Sequence, residues 1–101
     1  MRPNILFITT DQQRRDCYGF RGRNVQTPHL DALVARGTNF QNCITPSPVC
    51  QPARAAILTG LLPFTNGAAD NGIDLDPELA EKGFAGHLSR AGYQTALIGK
   101  A

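Results

Sequence analysis

Ile5-Leu6-Phe7-Ile8-Thr9 carries the strongest strand signal in the chain, and the expected fold class rests on it. It is a short, continuous run of apolar and β-branched residues with no polar alternation. Such a run reads as a strand covered on both faces, as in a parallel sheet flanked by helices. Gln94-Thr95-Ala96-Leu97-Ile98 reads as a second strand, and Phe40 to Ile44 as a short further one. The expected class is therefore α/β. The first run ends at Thr10-Asp11-Gln12. Open α/β sheets bind ligands outside the carboxyl ends of their strands, which places Asp11 where a site would be. A turn or helix cap is the ordinary use of such an aspartate. Lys100 sits just past the later run, at a carboxyl end like that of Asp11.

Helical signals lie between these runs. Gln13 to Gln26 is polar and glycine-containing, and reads as a loop. Thr27 and Pro28 suit the N-cap and first position of a helix. Leu30, Leu33 and Val34 then form an apolar stripe at helical spacing, closed by Gly37, so the expectation for this helix is packing. Thr45-Pro46-Ser47-Pro48 is a stiff loop leading into Val49-Cys50-Gln51-Pro52-Ala53-Arg54-Ala55-Ala56-Ile57-Leu58-Thr59-Gly60. That stretch reads as a helix starting at Cys50, with Pro52 tolerated in the first turn and Gly60 as the stop. A cysteine at a helix start meets free backbone N–H groups and a partial positive charge, which favour a thiolate or a bound anion. Arg54 falls four residues on, on the same helical face, and could clamp an anion held above Cys50. A small buried cysteine and a solvated arginine are the ordinary readings of the same pair. Leu61 to Gly67 is turn-rich, Asn71-Gly72 reads as a turn, and Asp76-Pro77 as the start of a helical turn. Phe84, Leu88 and Ala91 mark a last stripe ending at Gly92.

The composition bounds the answer. The 101 residues suffice for one small domain, and 42% apolar with 18% charged residues is an ordinary globular mix. A net charge of +2 gives no argument for nucleic acid or an anionic membrane. Arg2, Arg14, Arg15, Arg21, Arg23 and Arg36 fall early, and Asp70, Asp74, Asp76, Glu78 and Glu81 later; both groups read as solvated faces. Cys17, Cys43 and Cys50 form an odd set without C-x-x-C spacing, which argues against a disulfide framework and a zinc ribbon. His29 and His87 are too scattered to complete a metal cluster. The run after Met1-Arg2-Pro3-Asn4 is too short for a secretory core or a membrane span. The expected setting is a reducing cytoplasm.

Cys50-Gln51-Pro52-Ala53-Arg54 resembles the C-x-P-S-R signature of sulfatases, with Ala53 where serine is commoner. Three further blocks follow the same family's order. "PNILFITTDQ" resembles its first strand, which ends in a metal-binding acidic pair; Asp11 matches the first member and Gln12 replaces the commoner aspartate. "TPHLDALVARGTNF" resembles the segment before the signature cysteine. "GYQTALIGKA" resembles the second signature, with Lys100 at the sulfate-holding lysine and Ala101 where tryptophan is commoner. The resemblance implies that residues 1–101 are the N-terminal portion of a sulfatase catalytic domain. The implied fold is the incomplete N-terminal part of an alkaline-phosphatase-like α/β sheet with flanking helices.

The resemblance also implies a chemistry. Cys50 would be oxidised to formylglycine by a formylglycine-generating enzyme, with Pro52 and Arg54 as the core of the modification signal. The aldehyde hydrate would attack the sulfur of a small sulfate ester, release the alcohol and then expel sulfate. Residue 50 and Asp11 would bind a divalent metal, Ca²⁺ first and Mg²⁺ or Mn²⁺ as alternatives. Arg54 and Lys100 would stabilise the spread negative charge. Asn71 and Gln12 would contact the anion, as in relatives that resemble choline sulfatases and phosphonate monoester hydrolases. Two other readings stand beside this one: a phosphonate or phosphodiester hydrolase of the same superfamily, and a scaffold without turnover.

Overall fold

The computed structural model describes residues 1–22 and 24–100; Arg23 and Ala101, both singled out above, lie outside the described residues. The chain divides into two compact units, Met1–Cys43 and Ile44–Ala101.

In the first unit, a turn of 3-10 helix at Gly19–Arg21 is followed by α1, Pro28–Arg36. Thr27 stands at the N-cap position as expected but caps nothing through its side chain. Its hydroxyl instead accepts from the Gly19 N–H at 2.9 Å and donates to Asp31 Oδ1 at 2.7 Å. Asp31 Oδ1 also accepts from the Phe20 N–H at 3.2 Å. One carboxylate on α1 thus ties the 3-10 turn to the helix, through bonds of the charge-assisted kind. The rings of Tyr18 and Phe20 stack at 5.3 Å, and the Arg21 guanidinium lies 5.7 Å from the Phe20 centroid. The apolar stripe does not pack as expected: Leu30 and Leu33 are exposed and Val34 is only half-buried.

The second unit is built around α2, Cys50–Thr59, which starts and ends where its sequence says it should, with Gly60 closing it. α3 (Pro63–Asn66), α4 (Pro77–Glu81) and α5 (Phe84–Arg90) all touch α2. Pro52 and Ala55 are buried on α2, and Ala68, just after α3, is almost fully enclosed. Asn66 is a buried polar residue with its amide satisfied. It donates to the Leu61 carbonyl at 3.2 Å and to Thr59 Oγ1 at 3.5 Å, and accepts from the Ala68 N–H at 2.9 Å. Left without these partners the group would cost about 1–3 kcal/mol. Asp76 caps α4 by accepting from the Glu78 N–H at 2.8 Å. Gly83 lets the α4–α5 junction close onto α2, because a Cβ there would collide with the Leu58 carbonyl oxygen.

The expected α/β class is overturned. Among the described residues there is no strand, so no alkaline-phosphatase-like sheet is formed; the chain is helices and loops. The three runs read as strands are open to solvent instead of covered. Leu6 and Ile8 are 84% and 75% exposed, Phe40 and Ile44 77% and 87%, and Leu97 and Ile98 68% and 95%. The physical reason is the difference between the two kinds of element. A helix satisfies its backbone groups within itself, whereas a strand needs a neighbour for every N–H and C=O it presents. Apolar content supplies the wish for burial but not the pairing partner. No helix among the described residues is long and apolar enough to cross a membrane.

Candidate active site

The candidate site grows from the start of α2. Thr45 Oγ1 donates to the Ser47 carbonyl at 2.8 Å, and Ser47 Oγ accepts from the Val49 N–H at 3.1 Å. These local bonds, with Pro46 and Pro48, shape a bent segment that leads into Val49, the N-cap residue at φ −95 and ψ 140. Valine has no side-chain oxygen to cap the helix, so the first turn must find its partners elsewhere. Ala53 N–H makes the first helical bond, to the Val49 carbonyl at 3.1 Å. Pro52 has no N–H. The Gln51 N–H is taken by Asn71 Oδ1 at 3.1 Å, a cap supplied from twenty residues down the chain.

This corrects the expectation of several free amides beside Cys50. The Gln51 amide is engaged and the Pro52 amide does not exist, so fewer N–H groups stand open at the start of the helix than its sequence suggests. Cys50 is half-buried, as is Cys17, while Cys43 is exposed; among the described residues none of the three forms a disulfide. Arg54 is half-buried on the same helix and its Nη1 donates to the Lys100 carbonyl oxygen at 2.9 Å. That bond brings the main chain at Lys100 to α2 and holds the guanidinium in place.

Asn71 is exposed and lies in a tight turn, with its N–H bound to Asp70 Oδ1 at 2.7 Å. Gly72 follows at φ 82, a left-handed backbone that glycine adopts freely. The turn is fastened to α2 by a residue that sequence reading passed over. Gln51 Oε1 accepts from the Gly72 N–H at 2.7 Å, and Gln51 Nε2 donates to the Ile73 carbonyl at 2.8 Å. Gln51 occupies the variable position of the signature, and its partners lie 21 and 22 residues away, so no local pattern points to it.

Asp11 and Gln12 belong to the first unit and are exposed. Gln12 has φ 53, the one non-glycine residue in the left-handed region among those described. That conformation costs roughly 1–2 kcal/mol, and such strain gathers at functional positions. Among the described residues no three His, Cys, Asp or Glu side chains gather into a metal shell. A hard divalent cation wants about six or more oxygens, so this donor set does not by itself fit one.

Comparison with known proteins bears on the same residues. An ulvan-active sulfatase of Formosa agariphila is 45% identical over 100 residues, covering 98% of this chain and 19% of that protein. An arylsulfatase of Clostridium perfringens is 40% identical over 103 residues, 99% of this chain and 21% of that protein. A choline-sulfatase of Rhizobium meliloti is 39% identical over 100 residues, 98% of this chain and 19% of that protein. The chain spans about a fifth of the length of the curated relatives it matches. No solved structure matches it significantly. The sequence pattern of one family, Sulfatase, runs through residues 3–101, from before the first apolar run to the end of the second signature, and the chain belongs to the sulfatase family.

Proposed function

We propose that the polypeptide carrying this chain hydrolyses sulfate esters at residue 50, after conversion of Cys50 to formylglycine. The observation that carries the reading is the family match through residues 3–101, with Cys50, Pro52 and Arg54 on the first turns of one helix. The modified residue supplies a hydrated aldehyde, one hydroxyl of which takes the sulfuryl group and the other of which expels it. The chain's own residues do the rest. Arg54, braced by the Lys100 carbonyl, presents fixed positive charge where negative charge spreads in the transition state. The Lys100 ammonium adds a second cation. Asn71, with Oδ1 engaged by α2, keeps its Nδ2 protons as donors for an oxyanion. The formylglycine-generating enzyme is the proposed partner, and a small sulfate ester the proposed substrate.

The experiment is made on a polypeptide of the relatives' length that carries this sequence, expressed with a formylglycine-generating activity. The peptide containing residue 50 is expected to be lighter than its cysteine form and to react with a hydrazide probe. Cys50→Ala should abolish both label and turnover, while Cys17→Ala and Cys43→Ala keep both. Full activity with an unmodified thiol at position 50 would sink the formylglycine reading.

Asp11 is proposed as one carboxylate of a divalent-cation site, Ca²⁺ first and Mg²⁺ or Mn²⁺ after it, with most ligands lying elsewhere in such a polypeptide. Asp11→Asn should lower Ca²⁺ affinity at least about tenfold, the scale seen when metal-site partners are removed. Equal calorimetric midpoints would leave Asp11 a turn residue only. Gln12 favours a second reading, a phosphonate or phosphodiester hydrolase, because an amide in place of a carboxylate alters the charge beside the anion. Turnover of phosphonate monoesters in preference to aryl sulfates would decide for it.

A further inference from the structure

Asn71 reaches the start of α2 from a turn that is exposed and has no buried side chain of its own. An exposed turn of this kind wanders unless something outside it fixes both its position and its orientation. Gln51 makes three hydrogen bonds to it. Its carboxamide oxygen accepts from the Gly72 N–H at 2.7 Å and its carboxamide nitrogen donates to the Ile73 carbonyl at 2.8 Å. Its main-chain N–H donates to Asn71 Oδ1 at 3.1 Å. The two ends of one side-chain amide therefore grip two consecutive residues, while the backbone of the same residue orients the amide of the third. A carboxamide suits this, since it carries a donor and an acceptor on neighbouring atoms at every ordinary pH.

We infer that Gln51 is a positioning residue for Asn71. It clasps the turn 71–73 to the residue next to Cys50, and it sets the Asn71 amide with its oxygen on the helix and its N–H groups left for an oxyanion. The inference rests on the reading of residue 50 as the reacting centre, and it adds the variable position of the signature to the working parts. Hydrogen bonds of this geometry act on orientation, where a displacement of about an ångström can cost about 10²-fold in rate.

Two measurements test it. The first needs no activity: amide exchange at Gly72, followed by NMR in this chain for the wild type, Gln51→Ala and Gln51→Glu. Glutamate keeps an oxygen for the Gly72 N–H; alanine keeps nothing. Exchange at Gly72 should quicken about fivefold or more in Gln51→Ala, the scale of one lost hydrogen bond, and return toward wild type in Gln51→Glu, with the amides of α5 unchanged in both. Equal exchange in all three proteins overturns the clasp. The second is a double-variant cycle with an aryl sulfate in the longer, aldehyde-bearing polypeptide. Gln51→Ala should lower kcat/KM by about 10²-fold, and should add little once Asn71→Ala is present, because the two act as one unit. Losses that multiply would overturn the positioning role. A wild type that hydrolyses no sulfate ester would fail the functional reading alone, and Gly72 exchange would still decide whether Gln51 holds the turn.

Discussion

The unit Met1–Cys43 buries none of its described residues, whereas Ile44–Ala101 buries Pro52, Ala55, Pro63, Asn66, Ala68 and Gly83. Both contain apolar runs, and each has one principal helix, α1 of nine residues and α2 of ten. The difference lies in what stands against the helix. α2 has α3, α4 and α5 on it, with a glycine at the closest approach and a buried asparagine tying the loop after it. α1 has one short 3-10 turn, held by a carboxylate, and its leucines remain in water. A helical stripe therefore reports only that a helix can bury a face; other elements must arrive to bury it. The same difference sorts the candidate residues. Cys50, Gln51, Arg54, Asn71 and the Lys100 main chain are joined within the packed unit, and Asp11 and Gln12 belong to the open one.

The largest effect expected from this contrast is chemical. Arg54→Ala in the longer polypeptide should lower kcat/KM by roughly 10²–10³-fold per aldehyde-bearing molecule, the scale of a lost charge-stabilising donor; counting aldehyde at residue 50 separates this loss from poorer modification, because Arg54 also belongs to the expected modification signal. A variant with the wild-type rate would remove Arg54 from the site and leave it a brace for the Lys100 carbonyl.

A smaller effect separates the units by packing. In this chain, Gly83→Ala places a Cβ against the Leu58 carbonyl oxygen and should destabilise it by about 1–3 kcal/mol, the cost of overpacking. Its counterpart in the open unit, Ile8→Ser, should stay within about 0.5 kcal/mol of wild type, because Ile8 is 75% exposed. Urea unfolding midpoints measure both. A silent Gly83→Ala would mean that α2 and the α4–α5 junction yield easily. A large loss from Ile8→Ser would mean that the first apolar run is covered after all.

Much of the site was legible in the residues themselves. Cys50, Pro52 and Gly60 set the bounds of α2, since caps, prolines and glycines act on their own few neighbours. Helical register alone set Arg54 on the face of Cys50. The Asn71-Gly72 turn was equally plain, because an Asn-Gly pair suits left-handed backbone. Pro28–Arg36 and Pro77–Glu81 also start at the prolines expected to open them. These are local decisions, made within a turn or two of chain.

What tertiary structure alone decided is everything that depends on a distant partner. Ile5-Leu6-Phe7-Ile8-Thr9 has the composition of a buried strand, but strand formation is a property of a pair, and the run forms no strand. Thr27 has the chemistry of a helix cap, yet the arrival of Gly19 gave its hydroxyl another partner. Gln51 carries no local signal at all. Its side chain gained a role when the turn at Asn71 folded back onto α2 and offered one donor and one acceptor at the spacing of a carboxamide.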